Sequence, residues 1–143
     1  MRALPLLLAL CLPSAAPAWE FSPTPICTLR QEQNGTLVEV TFEHGSRLYA
    51  IAITRAEPWP VAPGFTITFE GPAGITIGTD RHVLSDAGRT LRVEDTGSGN
   101  VLNGLALNQT ARARSGAAET TFSLTDAAPE VEAFRACTVP LAV

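Results

Sequence analysis

The sequence predicts a mainly β domain with a minor α component: an antiparallel sheet, or a small sandwich or barrel, of about six to seven strands, with a C-terminal helix clasped by a disulfide. Three observations predict it. Several short runs alternate apolar and polar residues at period two, the spacing that puts successive side chains on opposite faces of a strand. Turn-forming dipeptides and a proline-rich segment separate these runs. Two cysteines, Cys27 and Cys137, stand near the two ends of the chain.

Alternation begins at Ile26-Cys27-Thr28-Leu29 and leads to Asn34-Gly35, the preferred dipeptide of a two-residue hairpin. Residues 36 to 43 resume it, with Val38, Val40 and Phe42 on the face to be buried and Leu37 opposite. His44-Gly45-Ser46 reads as a turn into residues 48 to 54, where Tyr49, Ile51 and Ile53 share one face and alanines occupy the other. These three strands form a meander. Residues 57 to 64 hold three prolines, which remove ladder donors and forbid a helix interior, so the segment is a rigid loop carrying Trp59. That indole either folds back as a lid on the core or presents an apolar contact to a ligand. Phe65-Thr66-Ile67-Thr68-Phe69 is the cleanest alternation, and Gly71-Pro72-Ala73-Gly74 turns it into Ile75-Thr76-Ile77. Residues 89 to 95 carry Leu91 and Val93 inward against Arg92 and Glu94, and residues 121 to 124 supply a seventh strand.

Two segments have helical spacing. Residues 100 to 108 repeat apolar side chains at Val101, Leu102, Leu105 and Ala106, weakened by Gly104 at ~1 kcal/mol relative to alanine. The second helix starts with Asp126 as its cap, has Pro129 in its first turn and Glu130 at the positive end of the dipole. Val131, Phe134 and Cys137 fall on one stripe, which delivers Cys137 to the core side where Cys27 can meet it.

Residues 1 to 18 read as a signal peptide: Arg2 is the positive n-region, residues 3 to 12 the apolar h-region, and Ala16-Pro17-Ala18 the small-x-small cleavage site before Trp19. The apolar run is about half the ~20 residues that span hydrocarbon. Leu10 before Cys11 departs from a lipobox, so Cys11 leaves with the signal. The remaining residues, 19 to 143, form one exported domain in the periplasm or outside the cell, with no stable transmembrane segment. An oxidising compartment permits a bond between Cys27 and Cys137. No C-x-x-C pairing is present to depress a thiol pKa.

Composition removes several classes of function. Apolar content of 45% and charged content of 17% are globular. The net charge is −4, lysine is absent, and the arginines form no basic run, which excludes a nucleic-acid partner. The all-arginine, alanine-rich composition points to a bacterial exporter, in which the sequons at Asn34 and Asn108 carry no weight.

Asp95-Thr96-Gly97-Ser98 matches the D-T-G-S of aspartic proteases, making Asp95 the one catalytic candidate. That chemistry needs two aspartates sharing a proton, so a chain this short must dimerise to supply them. The apolar-apolar-Gly element that follows the catalytic loop in that family has its nearest match, Ile77-Gly78, before Asp95, and Arg92 and Glu94 interrupt the apolar strand. Gly97-Ser98-Gly99 lacks the third glycine of a dinucleotide fingerprint and the lysine of a P-loop, and reads as a loop capping a helix. His44 and His82 fall in turns outside any metal-binding pattern, with Glu43 and Asp80 the nearest carboxylates in sequence. No G-x-S-x-G elbow is present. The sequence therefore calls for no cofactor and no metal, and leaves Trp59 and His82 as candidate ligand contacts.

The signal, Pro25-Ile26-Cys27-Thr28-Leu29, the run I-T-I-G-T-D-R-H-V-L-S from Ile75, the run G-N-V-L-N-G-L-A-L-N-Q from Gly99 and the ending A-P-E-V-E-A-F-R-A-C resemble a family of short exported bacterial proteins. Some of its members carry the name of a component of the excision-repair nuclease, excinuclease ABC. This chain has no Walker A loop, no helicase motif and an acidic balance, so that name implies nothing for it. A looser similarity is to invasion-associated periplasmic β proteins, which also end in a Ser-Leu strand and a short helix. The resemblance implies export and a β fold, and no functional residue. The expected function is a non-enzymatic periplasmic module that binds a small ligand, an envelope component or a protein partner, with an Asp95-dependent hydrolase as the alternative.

Overall fold

In the computed structural model, residues 18 to 140 are described together with 2, 3, 5 and 9 to 11. Half of the h-region and most of the cleavage site lie outside the described residues. The chain forms ten strands, three more than the seven alternating runs: β1 (Glu20–Ser22), β2 (Cys27–Gln33), β3 (Thr36–Glu43), β4 (Leu48–Thr54), β5 (Phe65–Glu70), β6 (Ile75–Thr79), β7 (Val83–Ser85), β8 (Thr90–Asp95), β9 (Thr110–Ser115) and β10 (Ala118–Ser123). Two helices join them, α1 (Gly99–Leu107) between β8 and β9, and α2 (Ala127–Thr138) after β10. The strands form a six-stranded sheet in the order β1-β2-β3-β4-β8-β7 and a four-stranded sheet in the order β10-β9-β5-β6. Every pairing is antiparallel.

The predicted meander is present as β2, β3 and β4. Asn34 and Gly35 join the first two with φ of 49° and 77°, the paired positive values of the tight hairpin turn that this dipeptide favours. Val38, Val40 and Phe42 are buried and Leu37 is not, so the register places the apolar face inward. The inward faces of both sheets contribute to one core, in which Leu29, Val38, Ile53 and Leu91 meet Phe65, Ile67, Phe69 and Phe122. Ala50, expected on the outer face, is buried as well.

Three strands carry no sequence signal read above. β1 and β7 are three residues long, and both lie at the edge of the larger sheet. β9 reads Thr-Ala-Arg-Ala-Arg-Ser. Alanine is depleted in strands, so this segment is held by its partners rather than by propensity. Ala111 and Ala113 are fully buried opposite Phe69 and Ile67 of β5, where a small side chain leaves room for a large one. Arg112 and Arg114 point outward to Glu70 and Glu119.

The C-terminal helix closes the molecule. Cys137 on α2 is disulfide-bonded to Cys27 on β2, 110 residues away in sequence, with Cα atoms 6.0 Å apart. Val131 and Phe134 are fully buried on the same stripe. The expected cap is corrected: Asp126 has φ of 60° and its side chain makes no capping hydrogen bond. Its left-handed backbone makes the turn from β10 into α2 instead. Glu130 reaches back to β1, where its carboxylate accepts the Phe21 N–H at 3.0 Å. Trp19, just ahead of β1, is buried and donates its indole N–H to the Ser123 carbonyl. Among the described residues no helix is long and apolar enough to cross a membrane.

Candidate ligand-binding pocket between the sheets

At one end of the core the two sheets part, and an open-mouthed cavity of about 150 Å³ enters between them. Register explains its walls. On the larger sheet Ile51 pairs with Val93 and Tyr49 with Asp95, so all four side chains share the inward phase as the strands run toward the mouth. On the smaller sheet Ile67 pairs with Ile77 and Phe65 with Thr79 in the same way. Val40 of β3 and Val101 of α1 also line it. The interior is apolar. The mouth is polar, with Asp95, Arg81, Thr79 and Ser98 around it.

Asp95 occupies this rim because it is the last residue of β8 and continues the phase of Leu91 and Val93. It is exposed, and its Oδ1 accepts the Thr96 N–H at 2.7 Å and the Thr96 hydroxyl at 3.4 Å. A carboxylate held by its neighbour is an anchor for a loop and a charge at a doorway. Arg81 enters from the loop between β6 and β7, and among the described residues its guanidinium is within ion-pair distance of no carboxylate. Ser98 stands at the N-cap of α1, and its carbonyl, not its hydroxyl, holds the first turn by accepting the Leu102 N–H at 2.9 Å.

The other predicted residues lie elsewhere. Trp59 is 3% exposed, a core residue whose indole N–H is donated to the Ile53 carbonyl at 3.0 Å. The Arg55 guanidinium lies over its ring, 4.6 Å from the centroid. His82 is half-buried, with Nε2 3.1 Å from the Ala62 carbonyl and Nδ1 buried without a partner among the described residues. Both rings reach the pocket only through Phe65, which contacts Trp59 edge-on and His82 at a tilt. Asp80 is exposed and does not line the cavity. His44 lies just past the end of β3, beside the disulfide.

The pocket therefore gathers Asp95 and leaves out Trp59 and His82. Arg81, Tyr49 and Val101 are its unread members. The inward phase of Ile51, Ile67, Ile77 and Val93 was legible as strand alternation, but which inward residues end in core and which in a cavity depends on where two sheets diverge. No protein-family model, no curated protein and no solved structure matches this chain.

Proposed function

We propose that this chain is an exported, non-enzymatic binding module of the bacterial envelope, which takes a small apolar or aromatic group into the cavity between its sheets. The observation that carries the reading is the apolar cavity with a polar rim, the general form of a small-molecule site. An apolar cavity of about this volume has room for a benzene-sized guest. Arg81 and Asp95 at the mouth favour a guest with a polar or charged end that remains in water. Export rests on residues 1 to 18, and the disulfide is compatible with an oxidising compartment. The resemblance to short exported bacterial proteins supports the same setting, and a protein or envelope component is the natural bearer of the bound group.

The test is a methyl NMR titration with toluene, phenylacetate and phenethylamine, which share a ring and differ in charge. Shifts confined to Ile51, Ile67, Ile77 and Val93 are expected, and they disappear in Ile77→Trp, which fills the cavity. A folded protein whose pocket methyls respond to none of the three, or respond unchanged in Ile77→Trp, ends this reading. The hydrolase alternative makes a separate demand: a dimer with acid-optimum peptidase activity that Asp95→Asn abolishes.

A further inference from the structure

A second cluster lies away from the pocket, where β3 ends against α2. The metal-ligating atoms of Cys27, His44 and Cys137 all fall within 4.8 Å of one another. His44 Nε2 is 3.8 Å from Cys27 Sγ and 2.8 Å from the Cys137 carbonyl oxygen. The imidazole is held edge-on against Phe42, with centroids 5.0 Å apart, and is open to solvent on its other side. We propose that Cys27, His44 and Cys137 become a three-donor site for a thiophilic d10 cation, Zn²⁺ or Cu⁺, when the disulfide is opened by a dithiol reductant.

The chemistry balances. Two electrons and two protons pass from the dithiol to the Cys27–Cys137 bond, leaving two thiols on the protein and a disulfide on the reductant. The cation binds both sulfurs as thiolates and releases two protons to solvent. His44 moves its ring proton to Nδ1, gives up the Cys137 carbonyl and presents the Nε2 lone pair. With metal–sulfur and metal–nitrogen bonds of about 2.3 and 2.0–2.1 Å, tetrahedral ligands lie ~3.6–3.8 Å apart, the separation His44 already keeps from Cys27. Three donors complete a trigonal Cu⁺ site, and for Zn²⁺ a water enters from the exposed side of His44. Arg47, which lines the same hollow with Phe42 and His44, offsets the negative charge of two thiolates.

The frame does not depend on the disulfide alone. Val131 and Phe134 are fully buried, Glu130 binds Phe21, and Arg135 donates to Asn103 of α1 at 2.6 Å. These contacts keep Cys137 beside Cys27 after reduction.

The experiment uses the full chain carrying Cys11→Ser, so that Cys27 and Cys137 are the only thiols. The protein is reduced, freed of reductant without oxygen, and titrated with Zn²⁺ and separately with Cu⁺ against a chromophoric chelator. Binding of one equivalent to the reduced form and none to the oxidised form is expected. His44→Ala should weaken it at least about tenfold, the loss that removing even an outer partner of a metal ligand produces. Equal affinity in His44→Ala, or no uptake by the reduced chain, overturns the proposal. Melting curves of the reduced chain with and without Zn²⁺ cover the case in which reduction loosens the fold. The metal must then raise Tm, and a chain left unfolded in excess Zn²⁺ also overturns the proposal.

Discussion

Gly104 shows how a residue that weakens a helix locally can be required by the fold. In the middle of α1 it costs the helix about 1 kcal/mol relative to alanine. A Cβ at this position would lie 2.6 Å from Cγ and Cε2 of Phe69, a distance no packed carbon tolerates. Phe69 is itself buried in β5, so the ring cannot swing away. Gly104→Ala should therefore destabilise the protein by about 1–3 kcal/mol despite the better helix propensity, as overpacked cores do. Urea unfolding gives the sign, and a stabilised variant would remove the argument. Asn108 is a second case. Its side chain accepts the Ala73 N–H and donates to the carbonyls of Ala73 and Gly104, all at 3.0 Å, which ties the turn after β5 to the end of α1. Asn108→Ala removes all three bonds, the one to Gly104 buried and the two to Ala73 partly so, and a loss of about 1–3 kcal/mol in the same assay is expected. Neither role was legible in the sequence, where Gly104 read as a flaw in a helix and Asn108 as part of a glycosylation sequon. Both depend on what lies across the chain, not beside them.

The elements that the sequence showed best are those whose signal is local. The Asn34-Gly35 turn and the β5–β6 hairpin need only neighbouring residues to define them, and both are present as read. β9 was missed because its inward residues are alanines chosen by the size of Phe69 and Ile67 on the next strand. The start of α2 was misread for a related reason. Asp126 matched the composition of a cap, but its backbone is left-handed and its side chain makes no capping hydrogen bond. The acidic residue with a structural partner is Glu130, whose bond to the Phe21 N–H crosses 109 residues and tethers the edge strand β1 to the helix. Glu130→Ala should cost about 1–2 kcal/mol through loss of a charged acceptor. Faster hydrogen exchange at Phe21, with the protection of β3 and β4 unchanged, is the signature of that tether. Unchanged exchange at Phe21 would show that α2 holds β1 by packing alone.

At the scale of the whole molecule, the disulfide links a strand near the edge of one sheet to the last helix, and so encloses nearly every element in one loop. The chain-entropy model assigns ~4.7 kcal/mol to closing about 100 residues, and measured bonds typically give 2–4. Here the lower range is expected, because Val131 and Phe134 bring α2 against the core through apolar burial that no cross-link supplies. Cys27→Ser/Cys137→Ser should therefore remain folded and lose about 2–4 kcal/mol. With a slope of about 1–3 kcal/mol per molar urea, the unfolding midpoint should fall by roughly 1–2 M. Tryptophan fluorescence suits the measurement, since Trp19 and Trp59 report on different parts of the fold and both are buried. Trp19 lies beside Phe122 near α2, whereas Trp59 packs on Phe65 at the pocket end. A single coincident transition for both indoles, shifted but not split, is the expected outcome for one cooperative domain. If Trp19 reports an earlier transition than Trp59 once the bond is gone, the clasp does more than add stability: it joins to the sandwich a terminal unit that packing alone does not hold.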